Sequence, residues 1–466
     1  MKNWLKSKVS LAAVPIIFAL AWPTMLEQMM HTAVQYIDTA MVGSLGTAAT
    51  AAVGATTTVN WLIGSTISAV SVGFLAFIAQ SRGAGNFDMS KRASAQAVLT
   101  VLALGVVFTA IPLALSGVIP VWMQVDESVR SLASAYFFVL YTPMLFRVAS
   151  IIFSTILRAV GDTKTPMKVG VWVNIINVVL NFFFIYETRS VVIFGGNLTI
   201  VGAGMGVVGA AVASAIAYAV GGIVITVKLL THGELSPIGQ SFKPDITVLK
   251  PCFKVALPNA LQRFATSFGY VVFASMVNSI GEVATAAHTI ANTVESAFYI
   301  PGYGMQTATA TLSGQAYGAR DSKKIKELSS TIIFLEVSMM IVSGGLLFAF
   351  APNMMRLFSS DAEVISLGST VLRMVALSEP FYGVSIVIEG MMQGMGKTTM
   401  PFVSSVTGMW AIRILGTFVC IKVFTLGLVS AWGCMILHNM LLFCMFVAYY
   451  LSGRWKPENN LIAVKD

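Results

Sequence analysis

One acidic residue, Asp38, lies near the end of an apolar stretch that begins at about residue 11, and a glycine-marked turn follows it at 43–46. A carboxylate inside a membrane-length helix costs roughly 2.5–3.5 kcal/mol on insertion scales, so such an acid is by default a functional-site hypothesis. A carboxyl group removed from water can bind a proton near physiological pH, or it can ligate a hard cation through oxygen. We therefore predict that Asp38 binds a proton or a cation and couples this binding to the function of the protein. The alternative is a structural hydrogen-bond acceptor that braces neighbouring helices.

Three asparagines occur in a later apolar stretch. Asn174, Asn177 and Asn181 stand at positions i, i+3 and i+7, so a helix places them on one face. Amides at lipid depth either hydrogen-bond across helices or present carbonyl oxygens to a cation. Both interpretations remain open from the spacing.

The second half carries a different set of charges in its apolar stretches, namely Arg263, Glu295, Glu379, Glu389 and Arg413. Glutamates that face a cavity would attract cations, and on that basis Glu295, Glu379 and Glu389 are candidate substrate contacts. Arg263 is a further candidate contact in the same half. The plainer interpretation is that Arg263 and Arg413 neutralise two of the glutamates as buried ion pairs. An intramembrane enzyme is disfavoured, because the four histidines are scattered and neither a Ser/His/Asp pattern nor a phosphate loop occurs.

The elements that position these residues are membrane-spanning helices. The chain is 56% hydrophobic and 11% charged, whereas a soluble domain carries about 25% charge. Twelve apolar segments can be marked, and most reach the roughly 20 residues that cross a bilayer. They cover approximately 11–42, 48–80, 93–118, 131–157, 167–186, 206–230, 251–277, 283–315, 328–351, 364–394, 400–421 and 427–451. The sequence predicts an all-α polytopic membrane protein.

The net charge of +9 is a topology signal. With the N-terminus inside, 21 of the 29 Lys and Arg residues fall on the inner side, four on the outer side and four within segments. By the positive-inside rule both termini are cytoplasmic, and no nucleic-acid partner is expected. We predict a multi-pass protein of the inner (plasma) membrane.

The second half of the chain repeats the first in a constant register. Fifteen of 64 positions in 23–86 match their partners in 258–321 without a gap, including Pro23 with Pro258, Gly46 with Gly281 and Gln80 with Gln315. Six helices per half make both halves enter the membrane in the same direction, so a pseudo-two-fold axis along the membrane normal should relate them. We predict a first lobe over 1–230, a cytoplasmic linker over 231–250 and a second lobe over 251–466.

At these positions the sequence resembles the multidrug and toxic compound extrusion (MATE) family. The resemblance covers essentially the whole chain, and its motifs are Asp38-Thr-x-Met-Val-Gly-x-Leu-Gly46, Gln80-x-x-Gly-Ala-Gly85 and Arg158-Ala-x-Gly-Asp-Thr-Lys-Thr-Pro166, with echoes at Gly314-Gln-Ala-Tyr-Gly-Ala319 and Gln393-Gly-Met-Gly-Lys-Thr398. It implies a two-lobed, twelve-helix antiporter that exports organic cations and other amphipathic compounds against inward flow of Na⁺ or H⁺.

The resemblance also implies a cation site in the first lobe. In the family, such a site is built from the helix 1 aspartate, two positions four apart on helix 5 and a small hydroxyl on helix 6; Asp38, Asn177, Asn181 and Ser214 match these positions. Some members have an aspartate where Asn181 stands, so both coupling ions stay open here. No cofactor and no metal are expected, apart from Na⁺ at Asp38, Asn177 and Asn181.

Two further expectations complete this interpretation. Pro15 and Pro23 each remove a backbone hydrogen bond, so both should give the Asp38 helix places to bend.

We expect a monomer whose partners are the lipid bilayer and small organic cations. The alternative function is a lipid-linked precursor flippase of the same superfamily.

Overall fold

The computed structural model describes residues 10–123, 125–193 and 196–456, which contain twelve long helical segments in sequence order and one short helix, Ile119–Trp122, between the third and the fourth. The first half holds α1 (Val14–Gly43), α2 (Thr47–Gly83), α3 (Phe87–Leu115), α4a (Glu127–Tyr141) with α4b (Met144–Ala159), α5 (Lys164–Phe184) and α6 (Gly206–Leu230). The second half holds α7 (Ile246–Asn278), α8 (Glu282–Gly318), α9 (Ser322–Arg356), α10a (Ala362–Ala376) with α10b (Glu379–Gly394), α11 (Thr399–Val423) and α12 (Leu428–Leu451). The predicted cytoplasmic termini, 1–9 and 457–466, lie outside the described residues.

Within these residues, seven helices are long and apolar enough to cross a membrane, or nine when the bent pairs α4a–α4b and α10a–α10b each count as one span. The pairs bend by 50° and 54°. The other three long helices, α1, α7 and α8, have 30, 33 and 37 residues, well above the roughly 20 that a span requires. They are less apolar because they carry polar candidates such as Asp38, Arg263 and Glu295.

The internal repeat is visible in the helix ends. α2 and α8 have the same length of 37 residues, and their first residues, Thr47 and Glu282, are partners in the repeat. Each follows a glycine with positive φ, Gly46 at 108° and Gly281 at 142°, a backbone conformation that side chains disfavour. This requirement explains why the turn glycine recurs in both halves.

The helix caps also repeat. Asn86 caps α3 by accepting from the Met89 N–H at 3.0 Å, and Asp321 caps α9 by accepting from the Lys324 N–H at 2.9 Å. Short polar side chains are favoured at such positions because they satisfy a free N–H of the first helical turn. The two capping residues are again partners in the repeat.

One element falls outside an all-helical description. The loop that is longer in the first half contains two antiparallel strands, β1 (Glu187–Ile193) and β2 (Gly196–Ala203), with Glu187 opposite Ala203 and Ile193 opposite Gly196. A hairpin satisfies backbone groups locally, which a long irregular loop does not. It joins α5 to α6 and leaves the helical plan unchanged.

The two halves meet where α2 and α8 cross. A Cβ added to Gly83 would lie 1.8 Å from the backbone oxygen of Gln315, and one added to Gly318 would lie 2.0 Å from that of Gln80. The Gln80 side chain donates to the Gly394 oxygen at 3.1 Å, and the Gln315 side chain donates to the Ala159 oxygen at 2.9 Å. Both bonds join repeat-related pairs, as a two-fold axis between the halves requires. We call this contact the inter-lobe crossing.

The connection between α6 and α7 is held to the first half by two ion pairs. Arg82 pairs with Glu234 at 3.0 Å, and Arg92 pairs with Asp245, the residue that caps α7. The Gln96 amide also donates to the Lys243 oxygen at 2.9 Å. The linker is therefore anchored near α2 and α3.

Candidate functional site

The structure brings the four predicted first-lobe residues together. Asn181 of α5 is 1% exposed and donates to an Asp38 carboxylate oxygen of α1 at 2.5 Å. Asn177, one turn earlier and 6% exposed, hydrogen-bonds Ser214 of α6 at 3.0 Å. Helical spacing of four aligns the two amides, and the contacts between α1, α5 and α6 bring them to the carboxylate.

The orientation of the Asn177 amide follows from its hydrogen bonds. With the amide nitrogen toward Asp38, it lies 3.0 and 3.2 Å from the two carboxylate oxygens, and the amide oxygen accepts from Ser214 at 3.0 Å. Two amide nitrogens then face a single carboxylate. Asn174, on the same face, makes no hydrogen bond to this cluster among the described residues.

An unpaired acceptor lies in the same cluster. The Oδ1 atom of Asn181 is buried and has no hydrogen-bond donor among the described residues. Leaving a buried acceptor unpaired typically costs about 1–3 kcal/mol. An oxygen held beside a carboxylate without a donor is the arrangement that a cation or an added proton can use.

The two prolines of α1 have different effects. Pro23 lies inside the helix and cannot bond the Ala19 carbonyl, and the Thr163 hydroxyl donates to that carbonyl at 3.5 Å instead. Pro15 lies in the first turn, where its missing N–H removes no bond. The expectation that Pro15 also creates a bending point was therefore wrong, whereas Pro23 leaves a gap in the hydrogen bonds of α1.

Another acid of α1 is neutralised. One terminal nitrogen of Arg158, at the end of α4b, donates to both oxygens of Glu27 at 2.7 Å, and such charge-assisted hydrogen bonds are stronger than neutral ones. Of the α1 acids, Asp38 thus differs from Glu27 in having amide neighbours and no ion pair among the described residues.

In the second half, Glu389 of α10b is hydrogen-bonded to amides. It accepts from Gln262 of α7 at 2.9 Å and from Gln393 at 3.2 Å, and Gln262 also donates to Ser405 at 3.0 Å. Two amide donors can support an ionised carboxylate. The bonds link α7, α10b and α11.

Glu295 of α8 and Glu379 of α10b form a separate pair that interacts electrostatically. They are 7% and 1% exposed, respectively. One turn beyond Glu295, the ring of Tyr299 lies 5.7 Å from Tyr303 and 6.0 Å from Tyr382, both edge to face. Aromatic faces beside carboxylates attract organic cations. The spacing of four between Glu295 and Tyr299 was the available signal for this aromatic neighbour.

The arginines do not neutralise the glutamates by direct pairing. Among the described residues, neither Arg263 nor Arg413 lies within 4.0 Å of a carboxylate oxygen, so the ion-pair interpretation was wrong. The guanidinium of Arg413 stacks on Phe273 and Tyr270, with centroid distances of 4.3 and 4.7 Å. Such stacking is favoured for Arg because its planar charge is weakly hydrated. The candidate substrate contacts therefore form two groups. One group is Glu295 and Glu379, and the other is Glu389 and Arg263.

A helical membrane bundle with duplicated halves, a half-buried carboxylate held by buried amides in one half and buried acids in the other, is typical of membrane transporters. A family model, MatE, matches residues 23–183 and again 258–419, and the two matches begin at the repeat partners Pro23 and Pro258. The chain belongs to this family, the MATE efflux transporters, whose members are transporters rather than enzymes.

Relatives and solved structures agree over nearly the whole chain. The chain is 27% identical over 442 residues to the "Probable multidrug resistance protein NorM" of Thermotoga maritima, covering 95% of this chain and 93% of that protein. It is 25% identical to the "Probable multidrug resistance protein YpnP" of Bacillus subtilis, covering 95% of each.

Among solved structures, a transporter of the MOP superfamily from Pyrococcus furiosus is 25% identical and matches with a TM-score of 0.84 over 94% of this chain and 96% of that one. An outward-facing multidrug resistance MATE transporter has a TM-score of 0.85 at 24% identity, covering 94% of each. These matches confirm the twelve-helix, two-lobed fold.

Proposed function

We propose that this transporter is a secondary antiporter that exports organic cations and other amphipathic compounds in exchange for H⁺ or Na⁺. The observation that carries the proposal is the Asp38 cluster, in which a carboxylate faces two amides and a buried amide oxygen lacks a donor among the described residues. The multidrug names of the relatives support the substrate class, and the fold supports alternating access between the two lobes.

In this mechanism, Asp38 is the group whose charge changes. Binding of a cation or a proton at the carboxylate removes the reason for both amides of α5 to donate to it. The amides can then turn an oxygen toward Na⁺ or toward the new O–H, which changes the contact between α1 and α5. Because Pro23 leaves α1 without one hydrogen bond, this helix is the element that such a change can bend.

For the substrate, we propose the space beside Tyr299, Tyr303 and Tyr382, with one ionised carboxyl group of Glu295 and Glu379 supplying negative charge. Glu389, which is hydrogen-bonded to Gln262, and Arg263, the next residue on α7, are the other candidate substrate contacts of this lobe. When the organic cation leaves this space, the Glu295 and Glu379 carboxyl groups can exchange protons. Substrate release is thereby linked to the charge of these two side chains.

We further propose the arrangement of the chain. Residues 1–230 and 251–466 form the two lobes, residues 231–250 form a cytoplasmic linker, and both termini are cytoplasmic in the inner membrane. The chain acts as a monomer, because both lobes and the contact between them are present on one polypeptide.

The test is efflux of ethidium from proteoliposomes, driven separately by a proton gradient and by a sodium gradient. We expect one gradient to drive efflux, and Asp38→Asn to reduce it to the level of empty vesicles because the replacement has no titratable or negatively charged group. Asp126→Asn is the matched control, since Asp126 is an exposed acid at the start of α4a. Full coupled efflux by Asp38→Asn would refute the coupling role.

Absence of ethidium efflux in the wild type under both gradients would favour the alternative, a lipid-linked precursor flippase. Efflux under both gradients that Asp38→Asn abolishes would show that the same carboxylate serves either ion.

A further inference from the structure

Glu336, in the middle of α9, is a buried acid that the proposed transport cycle does not use. Its side chain is 0% exposed, and neither carboxylate oxygen has a hydrogen-bond partner among the described residues. An ionised carboxylate in such surroundings would cost several kcal/mol, and a buried acid without a partner takes a proton instead. Burial without a partner therefore favours the neutral carboxylic acid form of Glu336.

The surroundings of Glu336 are shaped to hold the carboxyl group. A Cβ added to Gly302 of α8 would lie 2.8 Å from its Oε1 atom, and one added to Gly383 of α10b would lie 3.1 Å from the same atom. Any side chain at either position would displace the acid. Two glycines on two different helices thus make the space that the carboxyl group fills.

A second acid faces this space. Glu379 is 1% exposed, and its Oε2 atom is buried without a partner among the described residues. It lies one turn before Gly383 on the same face of α10b, and Gly383 is the residue against which the Glu336 carboxyl group packs. Two neighbouring carboxyl groups in an apolar environment cannot both be ionised. Glu379 is thus the group through which a proton on Glu336 can be exchanged.

The other elements packed against Glu336 offer no compensating charge among the described residues. Arg373 of α10a turns to the Phe348 ring at 5.8 Å and the Phe348 carbonyl, and Glu27 of α1 is paired with Arg158. Glu295 of α8 is 7% exposed and forms no ion pair among the described residues. The titratable neighbours in the described part of the chain are thus acids, which also favours a bound proton.

Both helices beside Glu336 contain an interruption of their hydrogen bonds or a bend. α8 contains Pro301 next to Gly302, so one backbone hydrogen bond is missing there, and α10 bends by 54° just before Glu379. A rearrangement at either break changes the space around the carboxyl groups. The affinity for the proton therefore depends on the conformation of this lobe.

We propose that Glu336 and Glu379 form a second proton-binding site, separate from Asp38, which holds at least one proton in this conformation and exchanges it when α8 and α10 move. The bound ligand is a proton, which leaves the Glu336 carboxyl group by way of Glu379 for water. The role of the Glu336–Glu379 site in transport rests on the proposed antiport, whereas the occupancy of this site by a proton does not.

Occupancy can be measured by infrared spectroscopy of the purified protein in lipid nanodiscs. At pH 7 we expect a C=O band from a protonated carboxyl group that loses the intensity of one group in Glu336→Gln. Glu389→Gln is the matched control and should retain the Glu336 contribution to the band, because Glu389 belongs to a separate group that is hydrogen-bonded to Gln262 and Gln393. An unchanged band in Glu336→Gln would overturn the proposal.

Two further variants test the environment of the acid. Gly302→Ala keeps the acid but crowds its Oε1 atom, and Glu379→Gln replaces the facing acid, so each should shift the frequency of the band. A band that neither variant shifts would show that Glu336 does not occupy the glycine-lined space beside Glu379. These variants retain Glu336 and so remain informative where Glu336→Gln fails to fold.

Exchange is measured by the number of protons moved per ethidium, obtained from the pH gradient at which net ethidium flux stops. We expect Glu336→Gln to move one proton fewer than the wild type. An unchanged ratio, with the band lost, would reduce Glu336 to a structural acid and refute the exchange. If the wild type moves no ethidium, the proposed function fails. Occupancy of the site by a proton is then refuted only if the infrared band is also unchanged in Glu336→Gln.

Discussion

At the scale of single residues, the amide of Asn181 donates to Asp38 and thereby fixes how much negative charge the first-lobe site carries. We predict that Asn181→Asp creates a Na⁺ site of about tenfold or greater affinity than the wild type. The added carboxylate contributes several kcal/mol of attraction at this separation, even at an effective dielectric constant of about 20.

The measurement is thermal unfolding in NaCl against choline chloride, because a ligand that binds the folded state raises its stability. Asn174→Asp is the control, since it adds the same charge two turns away from Asn181 on the same helix, outside the hydrogen-bonded cluster. Equal stabilisation of the two variants by Na⁺ would show that the cluster has no special affinity.

The same residues show how far the sequence could lead. The spacing of Asn177 and Asn181 predicted a shared face, and the resemblance implied that Asp38 and Ser214 lie opposite; the structure brings all four together, while their ion-coupling role stays a prediction. The pairing of Glu27 with Arg158 was not predictable, because the two lie far apart in the sequence and no periodic pattern relates them. The stacking of Arg413 on aromatic rings was missed because charge alone suggested an acidic partner.

At the scale of elements, α1 is the helix whose shape depends on one proline. We predict that Pro23→Ala slows ethidium efflux, since the new N–H bonds the Ala19 carbonyl, displaces the Thr163 hydroxyl and stiffens the helix that carries Asp38. Pro15→Ala should leave the rate unchanged, because the first turn of a helix has no bond for that N–H to make. Initial rates in proteoliposomes, matched for protein content, compare the two. Similar slowing by both replacements would mean that the loss of a ring, rather than the restored bond, is responsible.

The start of α7 provides a prediction about pH. Asp245 caps this helix outside the membrane spans, and hydrogen bonds from the Thr247 hydroxyl and backbone, with the Arg92 ion pair, hold the pKa of Asp245 below its usual value. A lowered pKa in the folded state means that the stabilisation is complete above the unfolded value, near about 4, and is lost as the pH falls through the folded value.

We therefore expect wild type to be more stable than Asp245→Asn at pH 7, by about 0.5–1 kcal/mol, and the difference to vanish toward pH 3. Asparagine keeps the capping acceptor and removes only the charge, so the comparison isolates the ionised form. Thermal unfolding in detergent from pH 7 to pH 3 measures it. A difference that is independent of pH would assign the effect to the cap geometry instead.

At the scale of the whole molecule, the duplication was predictable and the contact it creates was not. The register that pairs Pro23 with Pro258 predicted equivalent helices, and the turn glycines, the caps and the two matches of the family model all follow it. Which face of α2 meets α8 depends on how two lobes dock in one conformation of a transport cycle, and hydrophobic patterning does not contain that information. The Gln80 and Gln315 motif positions were marked by the repeat, but their partners on the opposite lobe required coordinates.

The inter-lobe crossing gives the last prediction. We expect Gly83→Ala and Gly318→Ala to separate the lobes at this end to similar extents, because each added methyl group would lie within 2.0 Å of a backbone oxygen across the two-fold axis. Overpacking of this kind costs typically about 1–3 kcal/mol, which changes the ratio of closed to open molecules by roughly five- to a hundredfold.

Spin labels at Asp88→Cys and Lys323→Cys, two exposed repeat-related positions near the crossing, report the separation in a background without the native cysteines. Gly345→Ala is the control, since an added Cβ there meets nothing within 4 Å. Both crossing variants should shift the distance distribution toward longer values, and the control should not. A shift in only one of the two variants would show that the two glycine contacts of the inter-lobe crossing are not equivalent. One of the helices α2 and α8, rather than both, would then hold the lobes together at this end.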